Sequence, residues 1–216
     1  MSIQDLKHMG LFRVDFMRFV LDLDHKAIAD YTLEHSKKWD RYTNYHDREL
    51  CKEWQDGLPG KEKFEATLKE GADEFVKRTK RREFTEDVGG QFLWYWASVY
   101  RKHDHHGSHN HPNSLIAGSY YPLTSGETSP IILEAPWDNV IMHDTLTHKG
   151  TEQILRLKPN VGDMYMWPSW LKHRVPNQKT DDVRIAISFN MDYGRYHNYV
   201  QLDKKSHTWP FVEEKK

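Results

Sequence analysis

Gln91-Phe-Leu-Trp-Tyr-Trp-Ala-Ser-Val-Tyr100 runs directly into Arg101-Lys-His-Asp-His-His-Gly-Ser-His109-Asn-His111-Pro. The first ten residues hold no Gly, Pro, Asn or Asp and are rich in aromatic side chains, which predicts a strand. Working outward, further short strands are predicted over Leu115–Pro122, Pro130–Glu134, Ile154–Leu157, Asp163–Trp167 and Val183–Asn190, with turn signals between them at Thr124-Ser-Gly-Glu, Lys158-Pro-Asn-Val-Gly and Pro176-Asn-Gln-Lys. Many short strands at this spacing point to an all-β sandwich or barrel.

Upstream the period changes. Asp24–Lys38 carries Ala27, Ile28, Tyr31 and Leu33, and Lys61–Lys80 carries Phe64, Leu68, Ala72, Phe75 and Val76, spacings of three and four that predict amphipathic helices. The middle of Trp39–Gly60, polar and aromatic, stays unassigned. Two regions follow: residues 1–90, a helical N-terminal extension packed outside, and residues 91–216, the β core. The helices are expected to cover an outer sheet face, because such a face needs an apolar partner. Shaping the barrel mouth with Trp39, Tyr42, Tyr45 and Trp54, or supporting a dimer, are the other roles open to them. The charged run at 77–86 and the 213–216 tail read as solvated ends.

Thirty-one basic residues against 32 acidic ones give the 216-residue chain a formal charge of −1, so no bulk basic field supports nucleic-acid binding. Mean hydropathy is −0.86, yet eight Trp, eleven Tyr and nine Phe are too many for a disordered chain. No apolar stretch approaches the roughly 18 residues of a membrane helix, and the N-terminus lacks the apolar core of a signal peptide. Cys51, the single cysteine, rules out an internal disulfide framework and a multi-cysteine metal site. A cytoplasmic monomer or homodimer is the expectation.

Five of the 14 histidines lie between His103 and His111. With one cysteine, imidazole and carboxylate are the main transition-metal ligands open to this chain, and His109-x-His111 at a strand end puts two rings on one side. A histidine-rich surface loop is the plain alternative. Further on, His173 follows Pro168-Ser-Trp-Leu, and Arg184 sits in an otherwise apolar strand. A guanidinium there is costly unless it meets an anion, either a ligand or one of the chain's own acids.

The ordered set His109-x-His111, Gly118-Ser-Tyr-Tyr121-Pro, Pro168-Ser-Trp-Leu-x-His173-x-Val and Arg184-x-x-x-Ser-Phe-Asn190 resembles the non-haem iron(II), 2-oxoglutarate-dependent oxygenases. More narrowly, it resembles small oxygenases of marine bacteria and phages, in a branch like the prolyl hydroxylases. The resemblance covers roughly Phe92 to Asp192. It implies a double-stranded β-helix, or jelly roll, with Fe(II) held by His109, His111 and His173. His111 stands where the superfamily usually has a carboxylate; three-histidine iron in cupin dioxygenases is similar, and Asp104 and Glu134 are the fallback acids. Arg184 is implied to bind the far carboxylate of 2-oxoglutarate, with help from Tyr100, Tyr121 and Ser188; the residue two after the arginine, often serine in the family, is Ala186. His103, His105 and His106 are expected outside the ligand set, while Trp167 and Trp170 are expected to wall the pocket. The implied reaction is hydroxylation of a C–H bond, with oxygen and 2-oxoglutarate as cosubstrates and a peptidyl proline, another protein side chain or a small metabolite as substrate. A cupin-type dioxygenase without 2-oxoglutarate and an inert metal-binding module are the competing readings; the first lacks its expected glutamate after His111 and leaves Arg184 unused.

Overall fold

The computed structural model describes residues 14–79, 91–112, 114–136 and 154–193. In chain order these form β1 (Met17–Val20), α1 (His25–His35), α2 (Arg48–Asp56), α3 (Lys61–Thr79), β2 (Gln91–Tyr100), β3 (His106–His109), β4 (Ile116–Leu123), β5 (Ile131–Glu134), β6 (Ile154–Leu157), β7 (Asp163–Pro168), β8 (His173–Val175) and β9 (Arg184–Tyr193). The strands make a five-stranded sheet, β1-β7-β4-β9-β2, and a four-stranded sheet, β3-β8-β5-β6. All of their pairings are antiparallel. Six of the strands, β2, β4, β5, β6, β7 and β9, fall within a few residues of those predicted, whereas β1, β3 and β8 were not predicted. The predicted tail at 213–216 and most of the charged run at 77–86 lie outside the described residues.

Alternation along the large sheet decides what faces what. On β9, Ile185, Ile187, Phe189 and Met191 join an outer cluster with Tyr95, Ala97 and Val99 of β2 and with Met164 and Met166 of β7. The other face of the same strands sends Tyr100, Tyr121, Tyr165, Trp167 and Ala186 inward, toward Ile131 and Leu133 of β5 and Val175 of β8. Both faces are therefore apolar, and the strands read as nearly continuous hydrophobic runs. Gly118 sits where β4, β7 and β9 close together: a Cβ there would meet the Phe189 ring at 2.2 Å and the Tyr165 carbonyl at 2.6 Å. A side chain at that position would force the three central strands apart.

The helices cover the outer face. Asp24 and Asp47 cap α1 and α2, accepting from the amides of Ala27 at 3.0 Å and Leu50 at 2.9 Å. Ile28, Trp54, Phe64, Leu68, Phe75 and Val76 are buried in the outer cluster. α2 lies in the stretch that the sequence pattern left unassigned. β1 carries no predicted signal either: its four residues pair with β7 in the register Met17↔Met166 to Val20↔Asp163. Burial of the four large α3 side chains contributes roughly 6–12 kcal/mol, comparable to the whole stability of a domain. A chain starting at residue 86 is accordingly expected to precipitate when expressed. Recovery of a soluble, cooperatively melting β core from that truncation would show that the cover is dispensable.

Candidate metal centre

His109 and His173 are direct cross-strand partners where β3 pairs with β8. Their rings therefore start on one side of the small sheet, 4.2 Å apart between centroids. Two residues on, the chain leaves β3 and the amide of His111 donates to the Ser169 carbonyl at 2.9 Å. This turns the third imidazole inward, with centroids 5.2 Å from His109 and 4.9 Å from His173. One ligand atom from each of the three lies within 4.8 Å of the others.

The protonation pattern suits a metal. The Nδ1 of His109 faces the Gly107 carbonyl at 2.8 Å, that of His173 the Leu171 carbonyl at 3.0 Å, and that of His111 the Asn190 Oδ1 at 2.5 Å. Every partner is an oxygen acceptor, so Nδ1 carries the proton and the Nε2 lone pair is free. Burial pushes all three pKa values down, to about 4 for His111. The imidazoles are neutral at pH 7, as metal ligation requires.

Neither fallback acid joins the trio. Asp104 accepts from the Arg101 amide at 2.8 Å, while Glu134 pairs with Arg174 at 2.8 Å and accepts from Ser108 at 2.6 Å. His103 occupies a turn with φ of 77°. His106 comes nearer, stacking on His109 at 4.1 Å without entering the ligand group. Of the two tryptophans expected to wall the pocket, Trp167 meets His173 edge-on at 4.9 Å. Trp170 is 43% exposed.

Behind the histidines the inward face of β9 carries Arg184, Ala186, Ser188 and Asn190 by alternation. Arg184 is 1% exposed, and its guanidinium carbon lies 4.9 Å from the Tyr100 ring centroid and 5.0 Å from that of Tyr121. Its Nε and Nη1, and the Tyr121 hydroxyl, are buried with no hydrogen-bond partner. Ser188 meets Ser119 of β4 at 2.9 Å between hydroxyl oxygens. Burial raises the pKa of both tyrosines, keeping them protonated donors. A buried guanidinium with two unpartnered nitrogens, beside the Tyr100 and Tyr121 rings, could seat a planar anion. Three neutral imidazoles beside it form a donor set suited to a first-row divalent ion.

Sequence reasoning missed the part played by Asn190. It shares a strand face with Arg184, which was a visible signal, but its hydrogen bond reaches His111 across 79 residues of chain. Loss of such an outer partner commonly costs 10–100-fold in metal affinity. Asn190→Ala is expected to weaken Co(II) binding by about that factor in a chelator competition, and Asn190→Asp to keep most of it. Equal affinity in wild type and Asn190→Ala would show that His111 needs no such partner.

Fold and site together define a jelly-roll protein with three clustered histidines and a buried arginine behind them. Residues 94–190 match the family described as "Putative 2OG-Fe(II) oxygenase". A prolyl-4-hydroxylase from Pseudomonas putida shares the fold at TM-score 0.53 and 8% identity, over 82% of this chain and 91% of that one. The prolyl hydroxylase of Trichoplax adhaerens, solved with a hypoxia inducible factor peptide fragment, aligns at TM-score 0.51 and 11% identity, over 85% and 86%. Against an oxidoreductase of the 2OG-Fe(II) oxygenase family from Burkholderia pseudomallei, the TM-score is 0.38 at 9% identity, over 51% of this chain and 49% of that one. No curated protein sequence matches the chain. Among the described residues, no helix is long and apolar enough to cross a membrane.

Proposed function

We infer that the protein hydroxylates a C–H bond of a peptide-linked side chain or small metabolite, using Fe(II) and 2-oxoglutarate. The observation that carries this reading is Arg184, a buried guanidinium lacking an acid partner among the described residues and lying on the strand that also supports His111. His109, His111 and His173 would hold the iron. When bound, iron and 2-oxoglutarate supply the oxygen activation that oxidises the C–H bond.

The chain's own residues position and exclude. Arg184 would hold the far carboxylate, with the protonated Tyr121 and Tyr100 hydroxyls and Ser188 as further donors, its guanidinium carbon lying 4.9 and 5.0 Å from the two tyrosine ring centroids. Trp167, 1% exposed, keeps water from the inner side of His173. No side chain needs to transfer a proton.

Anaerobic calorimetric titration of 2-oxoglutarate into Fe(II)-loaded protein tests the reading. Micromolar affinity is expected. Absence of binding to well-folded, iron-loaded wild type would remove 2-oxoglutarate from the mechanism and favour a three-histidine dioxygenase of the cupin kind.

A further inference from the structure

Alternation along β7 puts Tyr165 and Trp167 on the inward face and Met164 and Met166 on the outward one. Asp163, two residues before Tyr165, therefore belongs to the inward face, and it is buried. The neighbouring Gly162 amide donates to the Tyr121 carbonyl at 2.9 Å, and the Tyr121 and Tyr165 rings lie 5.5 Å apart between centroids. Tyr121 is also a neighbour of Arg184, its ring centroid 5.0 Å from the guanidinium carbon. A buried carboxylate and a buried guanidinium on one face of a sheet are ordinarily each other's partners. These two are not. Two nitrogens of Arg184 are unpartnered among the described residues, while both Asp163 oxygens are engaged elsewhere. Oδ1 accepts from Nε and Nη2 of Arg18 at 2.9 and 2.7 Å, and Oδ2 accepts from the Asn160 amide at 2.8 Å and the Tyr165 hydroxyl at 3.2 Å.

Arg18 lies on β1, at the edge of the large sheet, in register with Tyr165. Its side chain is half exposed, whereas that of Asp163 is buried, so the cation reaches the acid from the open edge. A pair with both members in solvent is worth little, but removing one partner of a buried charge leaves that charge uncompensated. The charges overlap at the tyrosines. Burial raises the Tyr121 pKa, with the Arg184 charge opposing the rise and the Asp163 charge adding to it. Burial also raises that of Tyr165, the Asp163 charge adding and the Arg18 charge opposing. With Arg18 in place, the Asp163 charge is balanced and the positive charge of Arg184 is left whole for an incoming carboxylate. Without it, Asp163 becomes both a rival for the guanidinium and a like charge beside the arriving anion.

We propose that Arg18 is a positioning residue for the cosubstrate: by holding Asp163 it keeps Arg184 unpaired, so that the edge strand β1 sets the affinity of the arginine pocket for a dicarboxylate. The proposal rests on the oxygenase reading of the same site. It gives the N-terminal part a role in ligand binding that covering the sheet does not require.

The test measures 2-oxoglutarate affinity by anaerobic calorimetry on full-length, Fe(II)-loaded protein, with Co(II) affinity and thermal melting of each variant alongside. Arg18→Met is expected to weaken 2-oxoglutarate binding about tenfold or more with Co(II) affinity unchanged, and Arg18→Lys to recover most of the loss. Asp163→Asn alone is expected to bind 2-oxoglutarate at least as tightly as wild type. Adding Asp163→Asn to Arg18→Met is expected to restore affinity to within about threefold of wild type, even where the melting temperature falls further. A purely structural ion pair has the opposite signature, since loss of the second partner then restores nothing. Unchanged affinity in Arg18→Met, a double variant as weak as Arg18→Met, or weakened binding in folded Asp163→Asn overturns the proposal while leaving the oxygenase reading intact. The last of these decides the matter even if Arg18→Met fails to fold. Failure of wild type to bind 2-oxoglutarate removes that reading and the proposal with it.

Discussion

Arg184→Met is expected to weaken 2-oxoglutarate binding by about 30-fold or more and, in the metal-free protein, to raise the melting temperature. Both halves follow from one observation: the guanidinium is 1% exposed, with two of its nitrogens unpartnered. Removing one member of a buried, hydrogen-bonded charge pair costs 2–5 kcal/mol or more, a loss in affinity of roughly 30-fold to several thousand-fold. Without its anion the same guanidinium is a burden on the fold, and replacing buried charge with well-packed apolar side chains often stabilises by 1–4 kcal/mol. In a domain of this size about 1 kcal/mol moves the melting temperature by some 2–4 °C, so a rise of several degrees is expected by differential scanning calorimetry. A structural salt bridge predicts the reverse: a lower melting temperature together with unchanged 2-oxoglutarate affinity. That pair of results would show that Arg184 serves the fold alone.

The second large effect concerns the middle ligand. His111→Ala leaves two imidazoles and a void lined by Trp96 and Asn190, so Co(II) affinity is expected to fall by about 100-fold or more, beyond the usual cost of losing an outer partner. His111→Asp restores the two-histidine, one-carboxylate set that open iron sites commonly use, and most of the affinity is expected to return. The visible absorption of bound Co(II) checks coordination alongside affinity. Because burial holds His111 down at a pKa of about 4, its imidazole is neutral well below pH 7. Metal uptake near pH 7 therefore takes almost no proton from it, and calorimetry in buffers of different ionisation enthalpy is expected to give nearly equal heats. Affinity retained in His111→Ala would move the third ligand elsewhere, with Glu134 the acid whose charge His109 senses.

Much of the architecture was legible because it is written locally. The period-two alternation in Ile185, Ile187, Phe189 and Met191 against Arg184, Ala186, Ser188 and Asn190 fixes a strand and its two faces without knowledge of its neighbours. The spacings of three and four in Lys61–Lys80 predict a helix, and α3 spans Lys61–Thr79. The order of the histidines and the arginine named the set that the structure gathers. β1 was invisible because a four-residue edge strand exists through its pairing with β7, a contact with no signature in its own residues.

The sequence by itself determined which residue types were available for chemistry: a single cysteine, so no thiolate cluster, and His109, His111, His173 and Arg184 in a fixed order along predicted strands. Tertiary structure alone decided how they meet. Pairing of β3 with β8 places His109 opposite His173, Asn190 turns His111 across 79 residues, and Asp104 and Glu134 are drawn into other hydrogen bonds. It also brought Tyr42–His46, a stretch unreadable as an element, onto β2. The physical reason is one of range: alternation and helical period are properties of neighbours in the chain, whereas orienting partners and pocket walls come from long-range pairing that the folded sheets impose.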